Sequence, residues 1–251
     1  MAAEIRVIGV DGIPEARAGD DPGRLVADGV ERGGVPLEPG DVVVVTHKLV
    51  SKAEGRVVPL DSIEPSAFAR SLGERHGKDP RQVEMVLRES ARIVRMDRGL
   101  IIAETRHGFI CANAGVDASN VAGSKAVSLL PVDPDASARR IRDALRERFG
   151  VDTPVIITDS FGRPWRKGIV NIAVGVSGIK PLLDYRGQHD EHGYELRATV
   201  IAVADEIASA AELVMGKLDR RPVAIVRGYA YEPGEDGGAA LVMEPERDLF
   251  R

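Results

Sequence analysis

Apolar spacing along the chain switches repeatedly between a period of two and one near 3.6, so strands and helices are interleaved. Residues 4–10 alternate as a strand, and Gly12-Ile13-Pro14-Glu15 has turn chemistry. Asp21-Pro22 joins an N-cap residue to a proline at the first helical position and predicts a helix to about residue 32. The run DVVVVTH, residues 41–47, reads as a strand buried on both faces, because four consecutive valines suit a central position. The following KLVSKAEG reads as leading into a more extended segment.

Helices are predicted over 65–76 and 80–89, then strands over 92–96 and 100–113, with a hairpin at Arg106-His107-Gly108. Asp133-Pro134 opens an amphipathic helix with Ala138, Ile141, Leu145 and Phe149 on one face and Gly150 as its stop. A short buried strand over 155–158 ends in Asp159-Ser160, and another strand covers 169–176. An Ala-rich helix, mostly buried, is expected over 196–215 and a last core strand over 223–226. The tail from Glu232 is Gly-rich, then charged, and is expected to be partly mobile. Elements alternating without a fixed period predict a mixed α/β (α+β) architecture.

Composition narrows the function classes. With 34 Lys plus Arg against 39 Asp plus Glu, the net charge is −5, which gives no electrostatic case for a nucleic-acid binder. No apolar run approaches a membrane helix or a signal peptide, so a cytoplasmic protein with no membrane partner is expected. The single cysteine, Cys111, forms no intrachain disulfide and reads as a small core residue.

Several stretches carry candidate chemistry. In Gly115-Val116-Asp117-Ala118-Ser119-Asn120, the Asp117 carboxylate suits a hard cation and Asn120 a ligand edge, or the segment is an Asx-turn that caps a loop. Asp159-Ser160, at a strand's carboxyl end, pairs two hard oxygen donors where α/β proteins gather ligands. Arg163, Arg166 and Lys167 surround Trp165, which suits a polyanion carrying a flat ring, or is a solvated basic loop anchored by one aromatic. Lys52 and His47 suit a phosphate, or are a surface lysine and its neighbour; no Walker loop is present. Two histidines and two acids over 189–192 lack a metalloprotease spacing. Met215-Gly216-Lys217 is a helix C-cap or a backbone loop approaching a nucleotide.

Together and in this order, these motifs resemble the coenzyme F-420 gamma-glutamyl ligases, including the N-terminal domain of the actinobacterial two-domain form. The carrying stretches are VSKAEG (50–55), AGVDASN (114–120), ITDSFGRPWR (157–166) and ADEIASAAEL (204–213), with Leu130-Pro131. The resemblance implies a fold of its own rather than ATP-grasp, one ligase domain over 1–251, and no oxidoreductase domain. It implies a GTP-dependent enzyme that joins L-glutamate to coenzyme F-420-0 through gamma-linked amides by way of an acyl phosphate. Mg2+ or Mn2+, two per subunit, K+ and a homodimer belong to the same expectation. By matching position, Asp117 and Asp159 would hold the first metal and Ser160 the second. Gly12, Ile13, Pro14, Glu15, His47, Lys52, Asn120, Met215, Gly216 and Lys217 would contact GTP. Relatives carry serine at the His47 position, and Lys217 stands near a position that supplies a metal ligand in some members, a role an ammonium does not fill. Arg163, Trp165 and Arg166 would hold the coenzyme. Two alternatives stay open: a nucleotide- or coenzyme-binding protein of the same fold without ligase activity, and an amide ligase with another carboxylate acceptor.

Overall fold

The computed structural model describes residues 3–119 and 125–249. Its centre is strand β2 (Val42–Thr46), whose four valines are fully buried. Successive side chains of a strand point to opposite faces. Val43 and Val45 therefore enter one core and Val42 and Val44 the other. β2 lies third in a five-stranded sheet of order β1 (Arg6–Gly9), β12 (Val223–Arg227), β2, β8 (Val155–Arg163), β9 (Arg166–Ser177). Only β2 and β8 are parallel.

Helices α1 (Pro22–Arg32), α2 (His47–Ala53) and α5 (Pro134–Phe149) cover one face, and α6 (Val203–Met215) covers the other. Both predicted Asp-Pro starts are real caps. Asp21 accepts from the Arg24 N–H and Asp133 from the Ala136 N–H, satisfying donors left over at each helix start. Gly150 closes α5 in the left-handed conformation.

Residues 57–119 and 125–130 form a second layer. There α3 (Ala67–His76) and α4 (Pro80–Glu89) pack on the antiparallel sheet β4 (Ser90–Asp97), β5 (Leu100–Thr105), β6 (Ile110–Ala112). The predicted hairpin at 106–108 joins β5 and β6. β3 (Val57–Pro59) pairs with β7 (Ala126–Ser128) and ties this layer to the central sheet's flank. The mixed α/β architecture is as expected. Among the described residues no helix is long and apolar enough to cross a membrane.

Two element bounds change, and two stretches take a form the sequence did not assign. KLVSKAEG lies in α2, which forms because Leu49, Val50 and Ala53 bury one helical stripe in the first core, and the more extended segment it leads into is β3. Two turns are too short for a periodic pattern to stand out. Helix α6 begins at Val203, not near residue 196, because the β-branched run Thr199-Val200-Ile201 is extended and pairs as β11 (Val200–Ile201) with β10 (Leu183–Asp184). β8 runs five residues past the predicted end because β9 pairs along its whole length. The tail is held as far as Leu241: the Lys180 N–H donates to the Glu232 carbonyl, Arg142 pairs with Glu235, and Asp135 accepts from the Gly238 N–H.

Candidate active site

The site follows from where β2 stops. Parallel strands β2 and β8 run together to the pair Thr46–Thr158; β2 then turns into α2, while β8 continues with β9 as its partner. The β8–β9 hairpin thus overhangs the sheet, and Asp159 and Ser160 are the first residues of the overhang. A register shift between Ile157 and Thr158 marks a bulge at this point. Bulges bend a strand and re-aim its side chains, and are common beside active sites.

A cleft of about 860 Å³ opens at this carboxyl end of the parallel pair. It is lined by Thr158, Asp159, Ser160 and Asn171, by Lys48 and Lys52 of α2, by Ile13, Pro14 and Glu15, and by the loop 215–222, whose Arg221 pairs with Asp11. Among the lining groups Lys48, Lys52, Lys217, Arg220 and Arg221 outnumber Glu15, Asp159 and Glu212. Three of these cations already face carboxylates, Lys48 that of Asp117, Lys52 that of Glu15 and Arg221 that of Asp11, so the positive field that draws in anions is carried by Lys217 and Arg220 of the loop. Gly216 is required at the loop's start: φ is 58°, and a Cβ there would lie 2.0 Å from an Asp219 carboxylate oxygen.

Beyond the bulge, Asp159 faces α2 and Ser160 faces α6. Asp159 Oδ1 accepts from the Ser160 N–H at 2.7 Å and lies 3.2 Å from His47 Nε2. That contact is not aligned as a hydrogen bond, and Nε2 is buried without a partner. The Thr158 hydroxyl oxygen is likewise buried and unpartnered. On the α6 side the Ser160 hydroxyl donates to Asn171 Oδ1, and Asn171 Nδ2 donates to Glu212 Oε2, each at 2.7 Å. Ser209 donates to the Asn171 carbonyl at 2.7 Å, and Asp205 accepts from the Ala173 N–H at 2.9 Å. Burial pushes the Asp205 carboxyl up, countered in part by that N–H. Burial also pushes the Cys111 thiol up to about 12, and the Asp159 charge adds to it, so Cys111 stays protonated and is no nucleophile.

Asp117 is held apart from the cleft lining, on the second layer, where it bridges to Ser128. Its carboxylate lies 2.6 Å from Lys48 Nζ and accepts from the N–H and hydroxyl of Ser119, each at 2.7 Å. Burial pushes this carboxyl up, but Lys48 and Ser119 outweigh burial and hold it below its ordinary value. Neighbouring residues of α2 thus reach both aspartates: His47 approaches Asp159 and Lys48 pairs with Asp117.

The remaining predicted residues divide clearly. Ile13, Pro14, Glu15, Lys52, Met215, Gly216 and Lys217 line the cleft, with Lys52 paired to Glu15. Gly12 (φ 80°) shapes the turn without lining it. The His47 ring is 1% exposed and faces Asp159 and Ser51 rather than the open cleft. Asn120 lies outside the described residues. Arg163, Trp165 and Arg166 are not part of the cleft lining; they form the hairpin's tip, with Trp165 84% exposed. Trp165 has φ 57°, a conformation usually left to glycine or asparagine in a tight turn. The histidines of 189–192 lie on an exposed arm, and no cluster of three or more metal-ligating side chains occurs among the described residues.

Sequence reasoning missed Lys48, Asn171 and Glu212. The signal for Glu212 and its partner Asn171 was on α6, where Asp205, Ser209 and Glu212 fall at i, i+4 and i+7 and Glu206 is the one other charged residue, whereas Lys48 carried no such signal. That stripe meets β9 at residues 171 and 173.

A mixed α/β fold with hard oxygen donors and a basic loop at the carboxyl end of parallel strands is built for chemistry on an anionic ligand. Comparison with known proteins gives the family. Residues 12–228 match the model of the family described as F-420-0:Gamma-glutamyl ligase. The chain is similar to the coenzyme F-420:L-glutamate ligase of Methanopyrus kandleri, 50% identical over 242 residues and 94% of each chain. It is also similar to the enzyme of the same name from Methanothermobacter thermautotrophicus, 47% identical over 98% of this chain and 99% of that one. A third, from Methanocaldococcus jannaschii, is 46% identical over 86% of each. The chain belongs to the F-420-0:gamma-glutamyl ligase family and is an enzyme of the amide-ligase class.

Proposed function

We propose that this enzyme joins L-glutamate to coenzyme F-420-0 through gamma-linked amide bonds, using GTP and releasing GDP and phosphate. The observation that carries the reading is the cleft itself: Asp159 and Ser160 line it together with the loop that bears Lys217 and Arg220, in a chain half identical to a named glutamate ligase.

A carboxylate is a poor electrophile, so it must be activated before an amine can displace its oxygen. The terminal carboxylate of the coenzyme attacks the γ-phosphorus of GTP, and the bond to the β-phosphate oxygen breaks. The products are an acyl phosphate and GDP. The glutamate amine then attacks the acyl carbon, loses its proton and expels phosphate. Lys52, Lys217 and Arg220 would bind the phosphates, and the Ile13-Pro14-Glu15 turn would close on the nucleotide. Arg163, Trp165 and Arg166 reach outward from the hairpin tip, where they would hold the bulkier coenzyme.

The donor set fits hard divalent cations. Asp159, Ser160 and the unpartnered Thr158 hydroxyl offer oxygen atoms, and Asp117 already accepts a positive charge in the form of the Lys48 ammonium. Among the described residues too few carboxylates converge to bind Mg2+ or Mn2+ alone, and such ions commonly take the rest of their ligands from substrate phosphates. Bound there, the cation supplies neutralisation of the charge that develops on the transferred phosphoryl group. The same reading takes two such ions per subunit, K+ as a stimulant and a homodimer as the working unit.

The test is to incubate the protein with F-420-0, L-glutamate, GTP, Mn2+ and K+, and follow products by mass. Species rising by one glutamyl residue, with GDP released in step, are expected. GDP release without glutamylation would reject this acceptor, and no nucleoside diphosphate released from any nucleoside triphosphate would reject the phosphoryl step.

A further inference from the structure

The Ser160–Asn171–Glu212 chain has a direction that chemistry fixes. A carboxylate only accepts hydrogen bonds, so Glu212 must face the NH2 group of Asn171. The amide oxygen then faces Ser160 and also only accepts, so the Ser160 hydroxyl must donate its hydrogen to it. Asn171 is 4% exposed, and the orientation of its amide is held by Glu212 at one end and Ser160 at the other. With its hydrogen committed away from the cleft, Ser160 Oγ offers only lone pairs there, beside the Asp159 carboxylate.

We infer that Glu212 is a positioning residue: acting through Asn171, it sets the polarity of Ser160 and so makes that hydroxyl a cation acceptor. The inference rests on the reading of Ser160 as a metal-holding group. It gives a role to a helix acid that touches neither nucleotide nor coenzyme in that reading. A serine whose hydrogen is free can turn it toward a cation, and loses affinity for it. Partners behind a metal ligand typically control about 10- to 100-fold in metal affinity.

Substitution can reverse or restore the polarity. In Glu212→Gln the introduced amide can donate, which lets Asn171 turn and present its NH2 to Ser160, freeing the serine hydrogen. In the double variant Glu212→Gln/Asn171→Asp, the introduced amide donates to the introduced carboxylate, which again takes the serine hydrogen. The net charge of the pair is unchanged from wild type.

The experiment titrates Mn2+ into the full-length protein with GDP present, and reads free Mn2+ by electron paramagnetic resonance and folding by thermal denaturation. Glu212→Gln is expected to weaken Mn2+ binding about tenfold or more without a matching loss of thermal stability. The double variant is expected to recover most of that affinity. Equal affinity in wild type and Glu212→Gln would overturn the inference, as would a double variant no better than the single one. If Ser160→Ala binds Mn2+ as wild type does, the metal reading of Ser160 fails instead, and the inference with it.

Discussion

The two aspartates expected to share one metal sit in opposite electrostatic states. Asp117, on the second layer, is paired with a nearly buried lysine and held by Ser119, and its carboxyl is depressed. Asp159, on the overhanging strand, has a single backbone N–H and a misaligned, unpartnered imidazole nitrogen beside it. One carboxylate is compensated by the protein; the other is left for a ligand to compensate. Sites kept for binding are often poorly satisfied in the free protein, and stability is given up there. On the proposed reading, the difference separates a carboxylate that also holds the fold from one left for the reaction.

Substitution should split the pair. Asp159→Asn is expected to cut kcat/KM by about 100-fold or more while leaving the melting temperature unchanged or raised. Asp117→Asn is expected to lose activity and also about 1–3 kcal/mol of stability, because it leaves the Lys48 ammonium with neutral acceptors such as Ser119 and no opposite charge. Steady-state kinetics and denaturant unfolding on both variants check this. Equal stability losses would erase the distinction.

Acid sharpens it. Asp117 has a folded pKa below its ordinary 3.8, so its contribution is fully present above that value and is lost as pH falls through the folded pKa. The stability gap between wild type and Asp117→Asn should stay constant from neutral pH down to about pH 4 and close below it. A gap that closes above about pH 5 would contradict the pairing.

The smallest effect lies at the hairpin tip. Trp165→Ala is expected to alter stability by no more than about 0.5 kcal/mol, as the side chain is mostly exposed. It should raise KM for the coenzyme and leave KM for GTP alone. An equal rise in both would remove the coenzyme role.

How much of this was legible depended on range. The Asp21-Pro22 and Asp133-Pro134 starts, the Gly150 stop and the valine strand are local codes and read directly. Helix α2 was hidden because seven residues give under two turns of periodicity. The length of β8 was hidden because pairing with β9 sets it, and no local pattern carries that information. The cleft's parts were partly legible: Asp159, Ser160 and residues 215–217 stood out in the sequence, and they line one cleft. The Lys48–Asp117 pair spans 69 positions and the Asn171–Glu212 pair 41, so neither could be read from spacing. Trp165 was legible as unusual, since a lone tryptophan between basic residues stands out, but its place outside the cleft was not.

The most direct test is anomalous diffraction from crystals grown with Mn2+ and GDP. The expected result is a manganese peak bonded to the Asp159 carboxylate, with Ser160 Oγ as a ligand of this ion or of a neighbouring one, and phosphate oxygens completing the shell. Manganese bound only away from Asp159 and Ser160, with GDP seated in the cleft, would contradict it.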